Sequence, residues 1–317
     1  MKVLITGGAG FLGRRFVQHH AEAGDEVWAI DDFTSAGAHW PGGAAFGAFE
    51  GDMAFFLKKG WAEDTDWDLA YHFAAPVGGR VKIEGDPMYN AGSLAIDADF
   101  FRWATGRPGR VKTVVYPSSS AVYPVSLQSE GERAMQLQEG MFSAAYPNWE
   151  APDEMYGFTK LVGERLAWTA AKYGVNTLCI RPFSGYGEGQ SFDYPVPSIA
   201  RRALNREDPL VVWGDGRQTR DFVHVDDIVG ATVARLEAGV EGYQTMNIGY
   251  GFPISFIAVA RSCAELVGYN PRIVTDTTKP VGVTNRWADT QRMRKYYPQP
   301  LISIGPGLVR VLKSLEP

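Results

Sequence analysis

The chain has 317 residues, 45% apolar and 21% charged, with 31 basic against 36 acidic side chains and a net charge of −5. This balance excludes a disordered chain and argues against nucleic acid or an anionic membrane as partner, because both reward a basic surface. No apolar run approaches the ~20 residues of a membrane span, and two cysteines make neither a disulfide framework nor a zinc cluster, so no metal is expected.

Met1–Ile5 is a short apolar run stopped by glycines, the pattern of a buried strand. It begins the chain without a leader-like stretch, so a soluble, cytoplasmic protein is expected. Phe11–Ala23 predicts a helix, and Glu26–Ile30 a second strand closed by Asp31-Asp32. Asp68–Phe73 and Lys112–Tyr116 predict further strands, with helical spacing over Leu94–Ala104 between them. Tyr156–Lys172 predicts a long helix with Leu161, Leu166 and Ala170 at apolar positions, and Asn176–Ile180 another strand. Strands alternating with helices predict an α/β fold, a Rossmann-type doubly wound parallel sheet. After Arg181 the texture turns to Gly, Pro and aromatics over 182–219, alternation returns weakly at Phe222–Val233, and 251–317 mixes short elements. The expected layout is a nucleotide-binding domain over 1–180, completed by about 220–250, and a smaller substrate-binding lobe from 181–219 and 251–317. Cys179 and Cys263 fall in apolar runs and are expected in the core.

Glycine supplies 36 of the residues, about 11% against a usual ~7%, which points to tight turns or close backbone approach. Thr6-Gly7-Gly8-Ala9-Gly10-Phe11-Leu12-Gly13 follows a strand and opens a helix. Gly7 allows the turn, Gly10 lets the backbone approach a pyrophosphate, and Gly13 lets helix and strand pack, with the helix N-terminus facing the phosphates. Asp31 ends the next strand, where a carboxylate accepts hydrogen bonds from ribose hydroxyls and repels a 2′-phosphate; NAD is expected rather than NADP. Tyr156 and Lys160 stand at i and i+4 on one helix face, so the ammonium sits near the phenol and favours phenolate. Ser118-Ser119-Ser120 follows the strand Lys112–Tyr116, at the end of the sheet where such folds bind ligands.

These motifs, with Gly51-Asp52-Met53, His72-Phe73-Ala74-Ala75, Arg181-Pro182-Phe183 and Gly214–Asp227, resemble the extended short-chain dehydrogenase/reductases, specifically the NAD-dependent nucleotide-sugar epimerase/dehydratase family. The resemblance covers nearly the whole chain. It implies Ser119, Tyr156 and Lys160 as catalytic residues, Tyr156 taking a proton from a sugar hydroxyl while Lys160 binds the nicotinamide ribose. It implies a cofactor groove of Gly7, Gly10, Phe11, Leu12, Gly13, Asp31, Asp52, Met53, Phe73, Ala74, Ala75 and Pro182, with Tyr156 and Lys160. It implies substrate contacts from Ser120, Phe183, Ser184, Arg220 and Arg286, the arginines holding the diphosphate of a nucleotide sugar. Arginine suits that task because its planar fork donates two hydrogen bonds.

Dehydratases that the chain resembles carry Asp and Glu just after the catalytic hydroxyl residue; here Ser120 and Ala121 stand there. Related 3,5-epimerases place Cys where Ala121 stands and a second acid/base near Tyr194, although Gly78-Gly79 and Tyr123-Pro124 are similar to that group. The remaining Ser–Tyr–Lys set suffices for 4-epimerisation through a transient 4-keto sugar. The alternatives are a dehydratase, decarboxylase or 3,5-epimerase that uses Glu154, Tyr194 or another acid/base, and a non-catalytic NAD-binding regulator. The family's usual Asn-x-x-Gly is replaced by Leu94 and Asp97, which questions the support of the active-site loop. Residues 126–152, with Met141, Phe142, Tyr146 and Trp149, read either as a packed surface loop or as a lid. His224 is assigned no chemistry. Phe100, Phe101, Trp103 and Trp168 exceed what one sheet face needs, which predicts a homodimer paired through the two helices that carry them.

Overall fold

A computed structural model describes all residues except 36, 44, 60, 61, 63, 129–134, 142–151 and 317, so Phe142, Tyr146 and Trp149 lie outside the described residues. In the first half, β1 (Lys2–Thr6), α1 (Gly13–Glu22), β2 (Glu26–Asp31), β3 (Gly47–Glu50), α2 (Met53–Leu57) and β4 (Trp67–His72) lead to three successive helices. These are α3 (Arg80–Gly85), α4 (Pro87–Ala91) and α5 (Ser93–Thr105), followed by β5 (Val111–Pro117), α6 (Glu154–Lys172) and β6 (Asn176–Pro182). Then come β7 (Ser184–Tyr186), α7 (Pro195–Leu204), β8 (Leu210–Trp213), β9 (Thr219–His224), α8 (Val225–Glu237) and β10 (Tyr243–Ile248). The chain ends with β11 (Pro253–Ser255), α9 (Phe256–Val267), β12 (Ile273–Asp276), β13 (Asn285–Arg286), α10 (Gln291–Tyr296) and α11 (Ile304–Leu315).

Seven strands form one parallel sheet in the order β10-β6-β5-β4-β1-β2-β3. This is the doubly wound architecture that the alternation predicts. Helices cover both faces, so successive residues of each strand enter opposite cores. Val3 and Ile5 pack with Phe16 and Val229 on one face, while Leu4 packs with Phe100 and Tyr116 on the other. That is why the run Val3-Leu4-Ile5 has no polar alternation. The order reverses between β1 and β4, which opens a crevice at the strands' C-terminal ends.

Residues beyond β6 divide their work. β10 completes the large sheet beside β6, and α8 packs Ile228, Val229 and Ala231 beneath it. β7, β9, β11 and β13 form a small sheet, and β8 pairs with β12. These elements enclose a second core with α7, α9 and α11, in which Tyr186, Ile199, Phe222, Cys263 and Leu308 meet. Both cysteines are buried free thiols. No helix among the described residues is long and apolar enough to cross a membrane.

The surplus of aromatic side chains on α5 is absent. Phe100, Phe101 and Trp103 are 0%, 4% and 7% exposed and fill the chain's own core around Tyr116 and Ala167. Trp168 lies at the surface of α6 between two cations, with Arg165 4.0 Å and Lys172 3.5 Å from its ring. The argument for a homodimer from surplus apolar residues therefore fails, because helical periodicity does not say which neighbour covers a side chain.

Candidate functional site

The crevice between β1 and β4 deepens into a cleft of about 650 Å³. The glycine turn forms its floor. Gly7 has φ +71°, and a Cβ there would lie 2.6 Å from main-chain atoms of Phe73 and Ala74; one at Gly13 would lie 2.0 Å from the Gly7 carbonyl oxygen. Any larger residue would push the turn away from β4 or α1 away from the turn. Gly10 serves differently: a Cβ would meet only the Gly7 oxygen, at 3.2 Å, so the main chain there stays open to the cleft. At the end of β2, the Asp31 carboxylate accepts the N–H groups of Ala9 and Phe33 at 2.9 and 2.8 Å. Burial pushes its pKa up, and the two N–H groups oppose that shift. An open glycine cradle at a helix N-terminus and a carboxylate at the next strand end are the donors and acceptors that a dinucleotide requires, so the residues present fit NAD.

Every residue expected in the cofactor groove lines this cleft: Gly7, Gly10, Phe11, Leu12, Gly13, Asp31, Asp52, Met53, Phe73, Ala74, Ala75, Tyr156, Lys160 and Pro182. Asp52 also caps α2 by accepting the Phe55 N–H at 2.8 Å. Ser119 joins Tyr156 and Lys160 on the lining. Its Oγ accepts the Ala121 N–H at 3.1 Å, which leaves the hydroxyl proton for a ligand. Lys160 is 3% exposed, and its ammonium stands 5.2 Å from the Tyr116 ring centre.

Of the expected substrate contacts, Phe183 lines the cleft, whereas Ser120, Ser184, Arg220 and Arg286 do not. The two arginines stand together beside it, paired across β9 and β13. Arg286 donates to Gln128 at 2.5 Å and to Asp153 at 2.7 Å, and Arg80 meets the other Asp153 oxygen at 2.8 Å. The two guanidinium groups hold the Asp153 carboxyl below its usual range against the opposing effect of burial. Arg220 donates only to the Thr219 and Val281 carbonyls among the described residues. Burial and the neighbouring Arg286 lower its pKa, and the Asp153 carboxylate opposes that shift.

Residues 76–78, Tyr89, Ser191, Asp193 and Tyr194 also wall the cleft. Tyr194 lines the cleft, and burial, with Tyr156, Asp193 and Tyr89 nearby, holds its hydroxyl well above tyrosine's usual pKa. Glu154 is exposed and off the lining. His224 ends β9 and caps α8; its Nδ1 accepts the Asp226 N–H at 3.2 Å and its Nε2 faces Glu188 at 3.1 Å. Asp97 is 1% exposed and hydrogen-bonded, so the departure from Asn-x-x-Gly introduces a buried network rather than a gap.

Arg14 was not among the expected site residues. It lines the cleft and donates to the carbonyls of Gly37, Glu188 and Gly189, joining two of its walls. A signal was present in the sequence. A cation in the first turn of a helix opposes the helix dipole, which suggests a tertiary reason for its place.

A family model described as NAD dependent epimerase/dehydratase family matches residues 3–249. The chain is 28% identical to a dTDP-4-dehydro-6-deoxy-D-allose reductase of Streptomyces bikiniensis, over 94% of this chain and 92% of the relative. It is 26% identical to a UDP-glucuronate 4-epimerase of Thermodesulfobacterium geofontis, over 98% of this chain and 94% of the relative. The solved structure of MoeE5 in complex with UDP-glucuronic acid and NAD superposes with a TM-score of 0.82 at 26% identity, covering 99% of this chain and 98% of that one.

Proposed function

The chain belongs to the NAD dependent epimerase/dehydratase family, and on that premise we propose that it is an NAD-dependent nucleotide-sugar 4-epimerase working through a transient 4-keto sugar. One observation carries the choice of reaction. Ser119, Tyr156 and Lys160 line the cleft together, while Ser120 and Ala121 are 4% and 2% exposed, lie off it and offer no carboxylate. Elimination of water needs a group there that gives and takes a proton near neutral pH, and a hydroxyl and a methyl do not. Glu154 lies away from the cleft, and Tyr194, kept protonated by burial, is a hydrogen-bond donor rather than a second base.

Bound NAD supplies the group that oxidises the sugar and reduces it again. Tyr156 takes the proton of the 4-hydroxyl and returns it after the ketone has presented its other face. Ser119 donates to the same sugar oxygen, and the Lys160 charge stabilises the negative charge that gathers on the Tyr156 oxygen. Arg220 and Arg286 hold the diphosphate, which leaves the sugar free to turn. A 4-epimerase in the same family, the one from Thermodesulfobacterium geofontis, supports the reading.

The test is mass spectrometry of products formed from UDP-, GDP-, dTDP- and CDP-sugars in water and in D₂O. Unchanged mass, no deuterium at sugar carbons and no net use of added NADH or NADPH are expected. Loss of water would make the protein a dehydratase, deuterium at C3 or C5 a 3,5-epimerase, and stoichiometric cofactor oxidation a reductase.

A further inference from the structure

We propose that Asp97 is the positioning residue for Lys160: its buried carboxylate is the counter-charge that keeps the Lys160 ammonium charged and seated over the Tyr116 ring. The carboxylate stands at the end of a chain of hydrogen bonds. The Ala74 N–H donates to Thr6 Oγ1 at 3.3 Å, and the same oxygen shares a hydrogen bond of 2.9 Å with His72 Nδ1. His72 Nε2 lies 3.1 Å from Asp97 Oδ1, and a carboxylate there accepts the Nε2 proton. Tyr116 donates to Asp97 Oδ2 at 2.7 Å. Burial lowers the His72 pKa and raises that of Tyr116, so both donors are neutral. The carboxylate of the proposal therefore has two neutral donors against it and no cation in direct contact among the described residues.

Its cation must come from nearby, since an unpaired buried charge is costly. The other charged groups facing this cluster are Glu164 and Arg181, on α6 and β6. They neutralise each other through two bonds of 2.7 Å. Cys179, on β6, is kept as the thiol by burial. No arginine or lysine touches Asp97 among the described residues. Lys160 remains. It lies over the ring of the tyrosine that donates to Asp97, and its charge is felt at His72. One turn along α6, Gly163 has no side chain, and a Cβ there would lie 1.8 Å from the Tyr116 hydroxyl and 2.8 Å from Asp97 Oδ2. Glycine at that position lets the carboxylate and phenol press against the helix face that carries Lys160. Tyr156, a turn before Lys160, opens onto the cleft.

The proposal rests on the 4-epimerase reading only where turnover is assayed. NAD affinity is therefore measured against pH in wild type, Asp97→Asn, Asp97→Gly and Lys160→Met, with no sugar present. The Asp97 variants are expected to lose NAD affinity at a pH about one to two units below wild type, the size of one charge interaction over roughly 6–12 Å at an effective dielectric of ~20. Lys160→Met should lack that alkaline loss altogether. Both limbs of the turnover profile should move down with Asp97→Asn, since removing an anion favours every deprotonated neighbour. A structural role alone would lower thermal stability and leave these midpoints in place, and that result would overturn the proposal. If a variant folds poorly, thermal midpoints of the Lys160→Met and Asp97→Asn/Lys160→Met proteins decide. The double variant should recover stability lost in Lys160→Met, and additive losses would overturn the proposal. Failure of every nucleotide sugar to react would sink the epimerase reading and leave the NAD measurement standing.

Discussion

Replacing Gly79 by alanine tests whether the wall of the substrate cleft is as tightly built as the geometry requires. Gly79 precedes α3 with φ −70° and ψ −179°, extended backbone that any residue adopts. Alanine therefore brings no strain of its own, and its effect is steric. Its Cβ would stand 1.9 Å from the Asp193 carbonyl oxygen and 2.8 Å from that carbonyl carbon. Both are main-chain atoms, so no rotamer relieves the contact, and one wall must move by about 1 Å. Overpacking of this kind costs about 1–3 kcal/mol, and displacement by ~1 Å near reacting groups can cost ~10²-fold in rate. The segment that yields carries Asp193 and Tyr194 or Gly78, all on the cleft lining. Steady-state kinetics of Gly79→Ala should show kcat/KM down by about 10²-fold, with NAD affinity kept because the glycine turn is untouched. Gly85→Ala, at the other end of α3 with nothing within 4 Å of its Cβ, is the control and should behave as wild type. Equal kinetics for Gly79→Ala and the control would refute the reasoning.

Tyr156→Phe keeps the ring and removes the proton acceptor, so turnover should fall by about 10²–10⁴ while nucleotide-sugar binding persists; near-normal kcat would exclude Tyr156 as the base. Arg220→Gln removes a cation that has no carboxylate partner among the described residues. KM for the nucleotide sugar should rise by about 10- to 100-fold, the worth of a charged hydrogen bond, with NAD affinity unchanged, as calorimetry would show. His20, His72 and His224 are buried, and burial lowers the pKa of each. They enter the fold neutral and take up protons on unfolding below about pH 6.5, so stability is full above that pH and falls as the pH drops toward the depressed folded values. Thermal midpoints recorded between pH 7.5 and 5.5 should decline, and a flat or rising series would contradict the burial argument.

The strands on either side of the glycine turn were legible because apolar runs and glycines act locally. β10 was not. Its first three residues, Tyr243, Gln244 and Thr245, are half-exposed at the sheet edge, so the segment shows no apolar run. Most of the groove residues stand at strand ends or in turns marked by local motifs, and Tyr156 and Lys160 share one face of α6. Asp97 stood out as a departure, but its role was hidden: His72 and Tyr116 lie 25 and 19 residues away, and only the folded sheet brings them to it. The aromatic side chains of α5 show the converse error. Their number was read correctly, and their cover by the chain's own α6 and β5 was invisible to periodicity.

The arginine clasp at residue 14 bears on how far the walls of the cleft can part. Its guanidinium holds the Gly37 carbonyl beyond β2 and the Gly189 carbonyl beyond β7, and Glu188 beside it is tied to Arg15 and Arg310. A wide hinge between the lobes would break these bonds. The clasp therefore ties two walls of the cleft into one frame, anchored at a single guanidinium.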